Sequence, residues 1–92
     1  MIVAVLMIGE VPTLTEEIYG GLVGQMKPVM QAAPGFIAHS GGPSPSGGWR
    51  VVEIWESEAE AQQWFDENVK PTLPPDIVPV RNYYPLHTAF TS

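Results

Sequence analysis

The stretch that most constrains this chain is Trp49 to Phe65, WRVVEIWESEAEAQQWF. Its first part is rich in β-branched and aromatic residues and alternates in the period of two that a strand requires. Ser57 with Glu60 three residues on has the form of a helix capping box. Ala61, Trp64, Phe65 and Val69 then recur at the spacing of one helical face. A strand that runs through one capped turn into an amphipathic helix must pack that helix back onto its own sheet.

The remaining elements follow the same reasoning. Ile2–Ile8 is a continuous β-friendly run, expected as a central strand covered on both faces, with Glu10-Val11-Pro12 ending it. Thr13 and Glu16 have the spacing of a capping box, and Leu14, Ile18, Leu22 and Met26 form an apolar stripe every four residues. Pro28 marks the end of that helix or a kink in it. Gly35–Gly41 is the second strand, GGPSPSGG at 41–48 the turn after it, and Arg50–Trp55 the third strand. Lys70 suits a helix C-terminus and Pro71 stops the second helix. Ile77–Tyr84 is a fourth strand with Pro79 inside and Pro85 after it, so it belongs at a sheet edge. The order βαββαβ is the ferredoxin-like α+β arrangement, a four-stranded antiparallel sheet with two helices on one face, and the 92 residues make one domain.

Composition excludes several classes of function. The net charge is −6, and the four basic residues, Lys27, Arg50, Lys70 and Arg81, form no cluster. A phosphate backbone or an anionic membrane needs several cations on one surface, so no nucleic acid and no membrane is expected as a partner. The apolar start is too short to span a bilayer and lacks the basic region of a signal peptide, which leaves a cytoplasmic location as the expectation. There is no cysteine, so neither disulfides nor thiolate metal sites can reinforce so small a core. Pairing with a second copy is the remaining common route, and a homodimer is expected. His39 and His87 are far apart and lack metal-ligand spacing, so no metal is assigned.

The run Trp55-Glu56-Ser57, following a strand and opening a helix that carries Trp64 and Phe65, resembles the dimeric α+β barrel superfamily, and within it the antibiotic-biosynthesis-monooxygenase branch. GGWRVVEIWES is also similar to a set of uncharacterised actinobacterial proteins of this shape. The resemblance implies that two four-stranded sheets pair into a barrel with the helices outside, and that each subunit holds a small-molecule cavity between sheet and helices. Gly20, Gly21 and Gly24 would then serve as cavity spacers, the alternative being loose helix composition. Cofactor-free quinone-forming members use a Trp at the position of Trp55, an Asn where this chain has Val51 and a Tyr where it has Ala61. A haem-degrading branch uses a helical Trp matching Trp64, but its iron-ligating His falls on Pro74 here. Polyketide-cyclising relatives place a His in the cavity. The implied activity is therefore a cofactor-independent enzyme acting on an aromatic or polyketide-like molecule, by proton-transfer cyclisation or isomerisation or by monooxygenation. The alternative is a non-catalytic dimeric module that binds a small hydrophobic or aromatic ligand or a partner protein.

The candidate site residues come from strand geometry. Trp49, Val51, Glu53 and Trp55 share one face of the third strand. His39 shares a face of the second strand with Ile37. If the hairpin register across 41–48 has even parity, His39 meets Glu53, and the two form a candidate catalytic dyad in which the carboxylate orients the imidazole. A one-residue slip separates them. The alternatives are an exposed or Arg-paired Glu53 and a structural, hydrogen-bonded His39. Trp55, Trp64, Val51, Tyr19 and His87 are candidates for contact with a ligand, with Trp64 the best placed. For Trp55 and Phe65 the competing role is core packing, and for His87 a solvated tail.

Overall fold

The computed structural model describes residues 3–90 and has the expected order, β1 (Ala4–Val11), α1 (Glu16–Gln31), β2 (Phe36–Pro43), β3 (Trp49–Trp55), α2 (Glu58–Trp64) and β4 (Val80–Leu86). The strands form one antiparallel sheet in the order β2-β3-β1-β4. This is the ferredoxin-like α+β fold. Both helices lie on one face, where Met30 of α1 and Ala61 and Trp64 of α2 enclose Trp55 with Val5, Phe36 and Tyr83. A second cluster, Val11, Leu14 and Ile77 with Tyr19, Leu22, Trp49 and Leu73, closes the other end of the layer.

β1 is central, as its composition requires, but it begins at Ala4 and continues through Val11. Ile2 lies outside the described residues. The extension arises because Val11 is buried in the second cluster and Glu10 pairs with Arg50 on the uncovered face. Only one face of β1 meets the helices, so the expectation of two covered faces is corrected within the single chain. β4 is an edge strand, as β2 is at the other side, yet its proline positions are shifted. Pro79 precedes it, and Pro85 lies within it opposite Val5.

Helix α1 departs from the expected pattern in three ways. Its cap is Thr15, whose hydroxyl accepts from the Ile18 amide at 3.2 Å, and Thr13 instead donates to the Asp76 carbonyl. With that start, Tyr19, Leu22, Met26 and Met30 face the sheet and Ile18 is exposed. Pro28 lies within the helix, which continues to Gln31. A helix-interior proline loses its own N–H bond and crowds the carbonyl four residues earlier, but both Pro28 and Gly24, which carries that carbonyl, are exposed, so water can take up the freed acceptor. The second helix is shorter than its periodicity suggests. After Trp64 the chain widens into a π-turn over Phe65–Val69, where the Lys70 amide donates to the Phe65 carbonyl, and it ends in a 3₁₀ turn containing Pro71. Ser57 caps α2 as expected, accepting from the Glu60 amide at 3.2 Å and donating to the Glu60 carboxylate at 2.8 Å.

The β2–β3 hairpin positions the site. Its register sets His39 directly opposite Glu53, Gly41 opposite Val51 and Pro43 opposite Trp49. A bulge between Phe36 and Ala38 leaves Ile37 without a cross-strand partner and 40% exposed, so His39 shares its face with Phe36 rather than with Ile37. The turn is tight. The Ser44 amide donates to the Gly48 carbonyl, and Gly48 adopts φ of 74°, with a Cβ there running into Val11 and Pro12 backbone.

Candidate active site

A cavity of about 560 Å³ lies between the sheet and the two helices, within the range that holds a drug-sized ligand. Its floor follows from sheet register. Gly41, Val51, Gly9 and Arg81 form one row across the four strands, and His39, Glu53, Met7 and Tyr83 form the adjacent row. Gly9 and Val51 of the first row are small and line the cavity, so space remains above them, while Gly41 lies at its edge under Tyr19. Helix α1 lines the opposite wall with Tyr19, Leu22 and Met26, and α2 with its π-turn contributes Trp64, Phe65 and Val69.

One hydrogen-bonded chain enters this wall. The Trp55 indole N–H donates to Glu53 Oε1 at 2.9 Å. Glu53 Oε2 lies 2.8 Å from His39 Nδ1, and His39 Nε2 lies 2.6 Å from the Tyr19 hydroxyl. Glu53 is only 4% exposed. A buried carboxylate demands donors, and here each oxygen has one. Burial, together with the nearby Glu53 charge, holds the Tyr19 phenol above its usual pKa, so Tyr19 retains its proton at neutral pH. For a neutral imidazole paired with the Glu53 carboxylate, the network has one assignment in which Tyr19 donates: Nδ1–H donates to Glu53 and the Nε2 lone pair accepts from Tyr19. The Tyr19 ring stacks on His39 with centroids 6.0 Å apart and tilts against Trp49 at 5.2 Å.

Gly41 makes this possible. A Cβ at that position would coincide with the Tyr19 hydroxyl and lie 2.6 Å from Cζ, so only glycine lets the phenol reach over β2 to His39. In the sequence Gly41 belongs to a turn-like run, and nothing there signals this role.

The structure brings together Tyr19, His39, Glu53, Val51 and Trp64 on the cavity wall. It separates two other candidates from it. Trp55 is fully buried behind Glu53 and outside the lining residues, so it supports the carboxylate instead of touching a ligand. His87 is exposed on the chain after β4, 3.0 Å from the Thr88 hydroxyl, and does not line the cavity. The spacer role for Gly20, Gly21 and Gly24 is also corrected. They lie on the outer face of α1, and a Cβ on any of them meets nothing within 4 Å. Gly9 lines the cavity floor instead, and Gly41 lies under the Tyr19 phenol. Among the described residues no group of three or more potential metal ligands occurs and no helix is long and apolar enough to cross a membrane.

No family model and no curated protein matches the chain by sequence. Among solved structures, its fold matches a crystal structure from Shewanella loihica PV-4 described as a "putative monooxygenase". The TM-score is 0.61 over 97% of this chain and 99% of that one, at 16% sequence identity. At that identity the likeness establishes the fold.

Proposed function

We propose that the protein is a small cofactor-independent enzyme that moves a proton on an aromatic or polyketide-like molecule bound in the cavity. The observation that carries this reading is the chain Tyr19–His39–Glu53–Trp55 ending at the cavity wall. As the substrate's acidic C–H or O–H yields its proton to the Tyr19 oxygen, Tyr19 passes its own proton to His39 Nε2. The resulting imidazolium is stabilised by Glu53, which keeps Nδ1–H in place. Returning the proton along the same path to a different substrate atom completes an isomerisation or cyclisation with no net loss of atoms or electrons. Monooxygenation is the variant in which the deprotonated, electron-rich substrate meets dioxygen as co-reactant: an activated CH₂ becomes C=O, one oxygen atom stays on the substrate, and the other leaves as water with the two methylene hydrogens.

The uncovered sheet face supports a homodimer. Alternation places Leu6, Ile8, Val52, Ile54, Val80 and Tyr84 away from the helices. Val80 and Tyr84 are 55% and 47% exposed, and a second copy laid on this face would cover them.

The complete internal pairing of Glu53 also suits a non-catalytic binding module, and one experiment separates the two. Methyl 6-acetyl-2-naphthoate carries an enolisable methyl ketone whose exchange with deuterium oxide is read by proton NMR. Faster exchange with the protein than in buffer, abolished by His39→Ala while the ligand still binds, is the expected result. Bound ligand that exchanges no faster than in buffer would leave the binding module as the correct reading.

A further inference from the structure

The cavity carries a second polar feature that the proton-transfer chain does not use. Arg81 lies on β4, at the end of the floor row opposite Gly41. Its guanidinium sits 4.0 Å over the Phe65 ring, and Nη2 donates to the Tyr83 hydroxyl at 3.0 Å. That hydroxyl donates in turn to Gln62 of α2 at 2.9 Å. Gly9 lies beside the Arg81 stem, where a Cβ would make ordinary contact with Met7 at 3.4 Å and with Arg81 Cγ at 3.9 Å. The cation is held in a fixed orientation by an aromatic face and a phenol.

What it lacks is an anion. Among the described residues no carboxylate pairs with Arg81, whereas Arg50 has Glu10. The buried side-chain atoms without partners, Trp49 Nε1, Trp64 Nε1 and Arg81 Nε, are all N–H donors, and Trp64 and Arg81 both line the cavity. In a chain with ten acidic and four basic residues, the lining contains Lys27 and Arg81 but, of the acids, Glu53 alone, and both oxygens of Glu53 are occupied. A planar guanidinium is the side chain best matched to a carboxylate.

We propose that the cavity's ligand is a carboxylate, held by Arg81 at one end, with its acidic proton presented to Tyr19 at the other. The anion site stands on the Arg81 geometry alone, while the orientation of the substrate rests on the proton-transfer reading. Three inter-strand spacings separate Gly41 from Arg81 along the row, roughly 14 Å between Cα atoms. The substrate class is therefore an elongated aromatic or polyketide-like acid, its carboxylate on the order of 10 Å from the reacting carbon once both side chains reach inward.

The test compares 6-acetyl-2-naphthoate with its methyl ester by calorimetric titration of the full chain, using wild type, Arg81→Gln, Arg81→Lys and His39→Ala. The acid should bind wild type about tenfold or more tightly than the ester, the scale of one hydrogen bond to a charged group. Arg81→Gln should erase this preference and leave ester affinity nearly unchanged, and Arg81→Lys should restore part of it. Equal binding of acid and ester to wild type overturns the proposal, as does an acid preference that survives Arg81→Gln, or failure of wild type to bind the acid at all. If Arg81→Gln does not fold, the wild-type preference together with its reduction in Arg81→Lys decides. His39→Ala should keep the preference for the acid. An acid preference without catalysed exchange would sink the proton-transfer reading and leave the anion site standing.

Discussion

Replacing Glu53 separates its structural role from its chemical one. In Glu53→Gln the amide oxygen can still accept from the Trp55 indole, but the amide NH₂ faces His39 Nδ1 and must donate to it. His39 then carries its proton on Nε2 and donates to the Tyr19 oxygen. Every buried polar group keeps a partner, and the direction of the Tyr19–His39 bond reverses. The stability loss is the difference between two charge-assisted bonds and two neutral ones, roughly 1–3 kcal/mol in total. Glu53→Ala instead leaves two buried groups without partners, Trp55 Nε1 and His39 Nδ1, at about 1–3 kcal/mol each, with a cavity cost added. Thermal unfolding at one fixed protein concentration should show the difference, since each kcal/mol shifts the midpoint by roughly 4–8 °C in a domain of this size. Both variants should lose proton exchange on the bound ketone, because in neither can Nε2 accept from Tyr19 under a Glu53 anchor. Nitrogen-15 NMR of the imidazole reads the tautomer directly, Nδ1–H in wild type and Nε2–H in Glu53→Gln. A Glu53→Gln protein that keeps Nδ1–H, or that exchanges substrate protons at the wild-type rate, would refute the assignment of the network.

Gly41→Ala places a methyl group on the Tyr19 hydroxyl. It should cost about 1–3 kcal/mol by overpacking and suppress exchange on the ketone, while imidazole NMR shows the His39–Glu53 bond intact. Gly20→Ala, Gly21→Ala and Gly24→Ala add a Cβ into open space on α1, so each should stabilise the chain by up to about 1 kcal/mol in chemical denaturation. A loss of stability at any of them would mean that the outer face of α1 is covered by a partner. The Tyr19 pKa is raised above 10.0 in the folded state, so its neutral form contributes stability that is present below the unfolded value and lost as pH rises through the folded one. Alkaline unfolding should therefore be shallower in Tyr19→Phe. The Glu10 pKa is lowered below 4.5, first by its hydrogen bond with Arg50 and then by Ser44. Its contribution is present above the unfolded value and lost as pH falls through the folded one, and Glu10→Gln should flatten the acid limb of the stability curve.

The fold was legible because several signals in the sequence agree: a capped helix following a strand at 49–65, a β-rich start, and prolines that confine the last strand to an edge. The dyad was legible only as a parity condition. Alternation puts Glu53 on the face of Trp55 and sets His39 on one face or the other, but register depends on turn geometry that GGPSPSGG does not encode in any simple way. The Phe36–Ala38 bulge, which changes the neighbour of His39 from Ile37 to Phe36, has no local signature. The sequence marks Tyr19 only by its aromaticity. Its partnership with His39 depends on where α1 starts, and the sequence leaves that start uncertain by two residues because Thr13 and Thr15 are both competent caps. Analogy points Trp55 at the ligand, whereas the second oxygen of a buried carboxylate needs a donor and takes the indole behind it.

The polar residues of this cavity also explain one another through the sheet. A ferredoxin-like layer of this size would ordinarily fill the space between sheet and helices with side chains. Here Gly9 and Val51 leave part of that space open, while Gly41 makes room for the Tyr19 phenol that lies over it, and the Arg81 stem runs beside Gly9. The adjacent row supplies what fixes those side chains in place, His39 and Glu53 for the phenol and Tyr83 for the guanidinium. A methyl group at Gly41 would displace the phenol from His39, so the glycine there is tied to the hydrogen-bonded chain and not to the filling of the core. A strand glycine weakens the strand that carries it, and one whose smallness serves a polar contact at a cavity wall is the pattern expected when a site is kept at the expense of stability.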